Sequence, residues 1–94
     1  MNINAPNWIE SDLTDVLEDL QENKSIIVYN DEYNSFEHVI RCLVIYCEHS
    51  PEQAEQCANI IHNNGKIDVK RGSVEKLLPI YTALIDNKLT AKIE

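Results

Sequence analysis

Glycine is almost missing from this sequence, with two residues in 94, and neither belongs to a Gly-rich run whose backbone could wrap a phosphate. Nucleotide-binding loops of that kind are therefore excluded. GxSxG and HExxH are absent too, and the acidic pairs are isolated, so the familiar hydrolase signatures go with them. Basic residues are scarce: eight Lys and Arg stand against sixteen Asp and Glu, a formal charge of -8. A surface of that sign repels nucleic-acid phosphates and anionic lipid headgroups, which makes both poor partners. No apolar run nears the roughly 18 residues of a membrane span, and Met1 to Pro6 show neither the basic start nor the apolar stretch of a signal peptide. The expected location is cytoplasmic. Cys42, Cys47 and Cys57 are an odd number of thiols without CxxC spacing, which fits neither a disulfide framework nor a metal knuckle. They read as small apolar core residues. His38, His49 and His62 add no recognisable metal motif, so no metal and no cofactor are expected.

What is present suffices for one small domain. A chain of this length hides roughly 60 to 70% of its unfolded surface on folding, enough for a thin core without disulfides. Charge is distributed unevenly: residues 1–23 carry six acids (Glu10, Asp12, Asp15, Glu18, Asp19, Glu22) and no Lys or Arg, leaving -2 for the remainder. Within that acidic head Leu13, Val16, Leu17 and Leu20 fall at helical spacing, but an isolated segment of about ten residues does not hold a helix in water without a docking surface. The expectation is a mobile acidic extension over 1–23 and a folded domain over 24–94.

From Lys24 the pattern changes. Ser25-Ile26-Ile27-Val28-Tyr29 is a β-branched run of strand length that ends in the turn-forming Asn30-Asp31-Glu32-Tyr33-Asn34. Asn34 with Glu37 three residues on has the form of a capping box, and Phe36, Val39, Ile40, Leu43 and Cys47 make an apolar stripe, predicting a helix over about 35–48. Ser50-Pro51-Glu52-Gln53 starts a second helix with Ser as cap and Pro at its first position. Ala54, Cys57, Ala58 and Ile61 form its inner face, and Asn63-Asn64-Gly65 its left-handed stop. Ile67 and Val69 alternate with Lys66, Asp68 and Lys70 as in a half-buried strand. Ser73 opens a third helix whose apolar positions are Val74, Leu77, Leu78, Tyr81, Leu84 and Ile85, with Pro79 expected to kink it or limit its start. Leu89 to Glu94 alternates again as a closing strand. The order βααβαβ defines an α+β fold, a three-stranded antiparallel sheet with three helices on one face.

Among the polar residues, His49 reads as a loop residue between two helices and His38 as part of an exposed helix face. Cys42 and Cys47 lie on an apolar side where a thiolate is destabilised, which argues against a cysteine nucleophile. His62 closes the second helix, and its spacing leaves two readings open: a side chain favouring the helix dipole, or one projecting from the core edge toward a site. The loop 30–34 is equally readable as an ordinary strand-to-helix connection.

Taken together, Tyr29-Asn30-Asp31-Glu32-Tyr33-Asn34-Ser35-Phe36-Glu37-His38-Val39-Ile40, followed some twenty residues later by Ile61-His62-Asn63-Asn64-Gly65-Lys66, resembles the ClpS family, the substrate adaptors of ATP-dependent Clp proteases. The likeness runs from about Ser25 to Glu94 and reproduces the element order. It implies a non-catalytic adaptor that binds proteins by destabilising N-terminal residues (N-degrons: Leu, Phe, Tyr, Trp) and delivers them to a Clp AAA+ unfoldase of ClpA or ClpC type. Asn30, Asp31 and His62 match the positions that hold the N-degron amine. Phe36, Val39, Ile61 and Leu89 match the side-chain pocket, Glu32 and Asn34 the neighbouring loop, and Glu75 an unfoldase contact.

The residue types suit the task. A free N-terminus with a reference pKa of about 8 offers three donors and a positive charge, and wants acceptors around it. The chain departs from the family pattern at Glu32 for the common second Asp, Asn34 for Thr, Ser35 for Pro, Phe36 for a flexible Met, and Ile80 where a basic residue is usual. Phe36 bears on the breadth of the pocket and Ile80 on docking. The alternative is an interaction module of the same architecture with another protein partner, since the C-terminal domain of the ribosomal stalk protein is built alike. Retention of Asn30, Asp31 and His62 speaks against it.

Overall fold

The computed structural model describes residues 24–94; the acidic head and its helical spacing lie outside the described residues. Strand β1 (Lys24–Tyr29) leads through the 30–35 loop into helix α1 (Phe36–Cys47). Helix α2 (Pro51–Asn64), strand β2 (Lys66–Gly72), helix α3 (Val74–Asp86) and strand β3 (Ala91–Ile93) follow. The expected α+β fold is present: the sheet order is β2-β1-β3, and both pairings are antiparallel.

Ile26 and Val28 of β1 point inward and are fully buried, and Ala91 and Ile93 stand opposite Val28 and Ile26 across β3. On the β2 side the register slips between Ile26 and Ile27, so that Val69 is an extra residue. A bulge of this kind sends consecutive side chains to one side. Val69 is buried, and its neighbour Lys70, opposite Ile26, reaches the Cys47 carbonyl at the end of α1 (3.2 Å). The outer sheet face is polar, with the Tyr29 ring between the Lys66 and Lys92 ammonium groups at 5.8 and 5.7 Å and its hydroxyl donating to Glu94.

All three helices start on a serine whose hydroxyl accepts the N–H three residues on: Ser35 from His38, Ser50 from Gln53 and Ser73 from Lys76. The first cap corrects the expectation of Asn34, whose side chain is engaged across the loop instead, with Asp31 and the Lys88 carbonyl. α1 buries Cys42, Leu43 and Cys47, and α2 buries Ala54, Cys57, Ala58 and Ile61 as its spacing predicts. α3 buries only Leu77 and Leu84; Val74, Leu78 and Ile85 are exposed, so its apolar stripe is wider than its packed face. Pro79 does not limit the start of α3, which begins five residues earlier. It lies on the exposed side, as does Glu75, whose carbonyl has lost its helical donor. The closing strand is shorter than the alternation suggests, with Leu89 and Thr90 ahead of it.

His49 is a loop residue but a buried one. Its Nε2–H donates to the Val69 carbonyl (2.8 Å), which leaves Nδ1 to accept from the Cys57 thiol (3.9 Å). The three cysteines are free and buried. Burial pushes the Cys47 thiol up to about 11 against the pull of Lys70, with Cys42 and Cys57 adding to the rise. Burial likewise raises Cys42 and Cys57. Because the thiolate is the reactive form, all three cysteines should resist a thiol reagent at neutral pH in the native protein and react together once urea unfolds it. Rapid labelling of one cysteine under native conditions, followed by mass spectrometry, would contradict this packing.

Candidate functional site

The site is built where β1 ends. Tyr29 N–H still donates to the Thr90 carbonyl (2.8 Å), but the next amide, Asn30 N–H, turns to the carbonyl of Gly65 (2.7 Å). Gly65 ends α2 with φ of 98°, a left-handed conformation open to glycine at little cost, and its own N–H returns to the Ile61 carbonyl. One hydrogen bond thus joins the end of a strand to the end of a helix, with Asn30 and the last-turn His62 on either side.

The loop beyond Asn30 folds around one carboxylate. Asp31 Oδ1 accepts the N–H groups of Tyr33 (3.0 Å) and Asn34 (2.8 Å), and Oδ2 accepts the Asn34 side-chain amide (2.7 Å) and the Thr90 hydroxyl (2.8 Å). Partial burial raises the Asp31 pKa, but the donors from Asn34, Thr90 and Tyr33 outweigh it, and the net position lies below the ordinary carboxylate value. The second Asn34 amide proton goes to the Lys88 carbonyl (2.9 Å). His38, expected on an exposed face, is half-buried and donates from Nε2 to the Asn87 carbonyl (2.8 Å). It also lies 3.7 Å from Cys42 Sγ, one helical turn further along α1.

Between this loop, the start of α1 and the last turns of α2 lies a pocket of about 390 Å³, lined by Asn30, Asp31, Asn34, Phe36, Val39, Ala58, Ile61 and His62. Asn30, Asp31 and His62 meet there with Phe36, Val39 and Ile61. Leu89 does not line it: this residue is buried in the core. Glu32 is exposed beside the pocket without lining it, and Asn34 is on the wall. Phe36 is 37% exposed, which puts its ring at the rim. Glu75 is exposed in the first turn of α3, away from the pocket lining. Ala58 is a wall residue that helical spacing reveals, one turn before Ile61 and His62. Thr90 carries no such signal, being 59 residues from Asp31. Among the described residues no three His, Cys, Asp or Glu side chains gather to hold a metal.

The comparisons with known proteins point to one family. Residues 20–88 match the family of the ATP-dependent Clp protease adaptor protein ClpS. An ATP-dependent Clp protease adapter protein ClpS from Thermosynechococcus vestitus is 32% identical over 69 residues, 72% of this chain and 73% of that protein. Among solved structures, Agrobacterium tumefaciens ClpS2 bound to L-phenylalaninamide has the same fold, with a TM-score of 0.72 at 18% identity, covering 79% of this chain and 96% of that one. The chain has the α+β fold of a small adaptor family, not a catalytic one, and it belongs to that family, the ClpS adaptors of Clp protease. No described helix is long and apolar enough to cross a membrane.

The depressed Asp31 pKa has a consequence for stability. A carboxyl held below its unfolded value contributes stability in full above that value, near pH 4, and loses it as pH falls through the folded pKa. Asp31→Asn should therefore unfold at lower urea concentration than the parent at pH 7, with the difference shrinking below about pH 4. A difference that persists unchanged down to pH 2 would remove the carboxylate from this role.

Proposed function

We propose that the pocket receives the first residue of a protein bearing a destabilising N-terminus and that the chain hands this cargo to a Clp AAA+ unfoldase. The observation that carries the reading is the meeting of acceptors and a negative charge with apolar walls: Asn30, His62 and Asp31 share one pocket with Phe36, Val39, Ala58 and Ile61. A protonated α-amine needs the first set and a Leu or aromatic side chain the second. Asn30 offers an amide oxygen, His62 a ring nitrogen, and Asp31 a negative charge. Charge-assisted hydrogen bonds contribute roughly 1.5 to 3 kcal/mol each, and full burial of a Leu or Phe side chain a similar amount. An internal or acetylated residue lacks the charge and donors, so selectivity for free N-termini follows from the acceptors. The Agrobacterium ClpS2 structure, bound to an amide of phenylalanine with a free amine, supports the reading by likeness of fold.

Phe36 at the rim narrows the set of accepted residues. Its ring is stiffer than the Met common in the family, and a β-branched side chain entering beside it meets a wall that does not adapt. Glu75 lies outside the pocket lining, so cargo and unfoldase are held on different surfaces.

Fluorescence-polarisation titration of Leu- and Phe-starting peptides tests the pocket. The parent should bind both, with a loss of about tenfold or more on N-acetylation and again in Asp31→Ala; absence of binding to any large apolar N-terminus would leave the fold with a different protein partner. In Phe36→Met, Ile- and Val-starting peptides should gain affinity relative to Leu, and equal affinities in the two proteins would remove the gate. Glu75→Lys should weaken capture of the unfoldase without changing peptide affinity, which pull-down and titration together separate.

A further inference from the structure

The Asp31 carboxylate is full. An ionised carboxylate has about four lone-pair sites, and four donors occupy them: two backbone N–H groups of the loop, the Asn34 amide and the Thr90 hydroxyl. An incoming amine finds the charge of Asp31 but no open acceptor on it, so its direct hydrogen bonds fall to Asn30 and His62.

Two of those four donors come from side chains, and the same short connector between α3 and β3 supplies or holds both. Thr90 donates its hydroxyl to Oδ2, and Asn34 reaches past Asp31 to the Lys88 carbonyl. His38 fastens the start of α1 to the Asn87 carbonyl on the same connector. Residues 87–90 therefore strap the 30–38 segment at three points, and Lys88 turns the strap with a left-handed φ of 71°. The backbone of Thr90 also takes the last β1 donor, Tyr29 N–H, directly before Asn30 leaves for Gly65.

We propose that Thr90 and Asn34 are positioning residues of the amine site: by completing the hydrogen-bond shell of Asp31 they hold the loop, and with it the Asn30 amide, opposite His62. The inference rests on the recognition reading above and adds to it a division of labour, in which Asp31 supplies charge and loop geometry while Asn30 and His62 touch the amine. Neither positioning residue needs to contact the ligand for its loss to be felt.

The test is titration of a Leu-starting peptide against the parent, Thr90→Val, Thr90→Ser and Asn34→Ala, with the same peptide carrying an isocaproyl group in place of leucine as the amine-free control. Thr90→Val keeps the shape of the side chain and removes its donor, whereas Thr90→Ser keeps the donor. Affinity for the free-amine peptide should fall roughly threefold to tenfold in Thr90→Val and in Asn34→Ala and return in Thr90→Ser. Affinity for the amine-free peptide should change less, since the apolar walls are untouched. Thr90→Val binding like the parent, Thr90→Ser failing to restore binding, or both peptides losing affinity equally would overturn the positioning role. A parent that shows no preference for the free amine would overturn the recognition reading, and this inference with it.

Discussion

The site depends on one hydrogen bond, from the Asn30 amide to the Gly65 carbonyl (2.7 Å). It forms where two different backbone periodicities stop. β1 gives up its ladder after Tyr29, and α2 gives up its helical bonding at a glycine whose left-handed φ turns the chain into β2. A side chain at Gly65 would meet no neighbour within 4 Å, so the demand on this position is conformational and not spatial. The penalty for a Cβ there is on the order of 1 to 2 kcal/mol. The bond brings Asn30, directly after the C-terminal end of β1, next to the C-terminal turn of α2 that carries His62.

Most of the fold was legible because its signals are local. Ser50-Pro51 and Ser73 mark helix starts, Gly65 marks a helix end, and Ala54, Cys57, Ala58 and Ile61 define a buried face by spacing alone. The errors share one cause, competition between local and distant partners. Asn34 resembles a cap in sequence, but its amide satisfies Asp31 and the Lys88 carbonyl, and the neighbouring Ser35 takes the cap. His38 and His49 look idle in sequence because their acceptors, the carbonyls of Asn87 and Val69, lie 49 and 20 residues away. Leu89 shows the same limit from the apolar side: the resemblance places it at the pocket, yet three-dimensional packing draws it into the core.

Of the candidate site, residue identity was legible and division of roles was not. Nothing in Asn30-Asp31-Glu32 says which carboxylate is exposed and which is saturated; only the fold reveals that Asp31 is spoken for by four donors. A buried or half-buried carboxylate with that many partners stays ionised, so it combines two properties that an amine site requires. It is a negative charge, and it is a joint that ties the loop to Thr90 through four hydrogen bonds. Net charge works in the same direction, since a chain with twice as many acids as bases attracts a cationic N-terminus from a distance while repelling polyanions.

The pocket is the counterpart of how α2 packs. Ahead of Ile61 its inner face is made of small residues, Ala54, Cys57 and Ala58, and it packs against α1. At the Ala58 end, the side chains opposite it are Phe36 at the rim and the half-buried Val39, and their combined volume does not close the gap. In a sealed core such a void would cost about 24 cal/mol per Å³. Here it opens to solvent at the loop, so water can occupy it and most of that cost is avoided. The lining is apolar enough that releasing this water to a hydrocarbon group would be favourable, and under the proposed reading the polar groups of Asn30 and His62 at its edge select a group that carries a free amine. Filling the gap from within the chain would stabilise the fold and abolish the site, which is why the small residue on α2 and the hydrogen-bonded loop opposite it have to be read as one device.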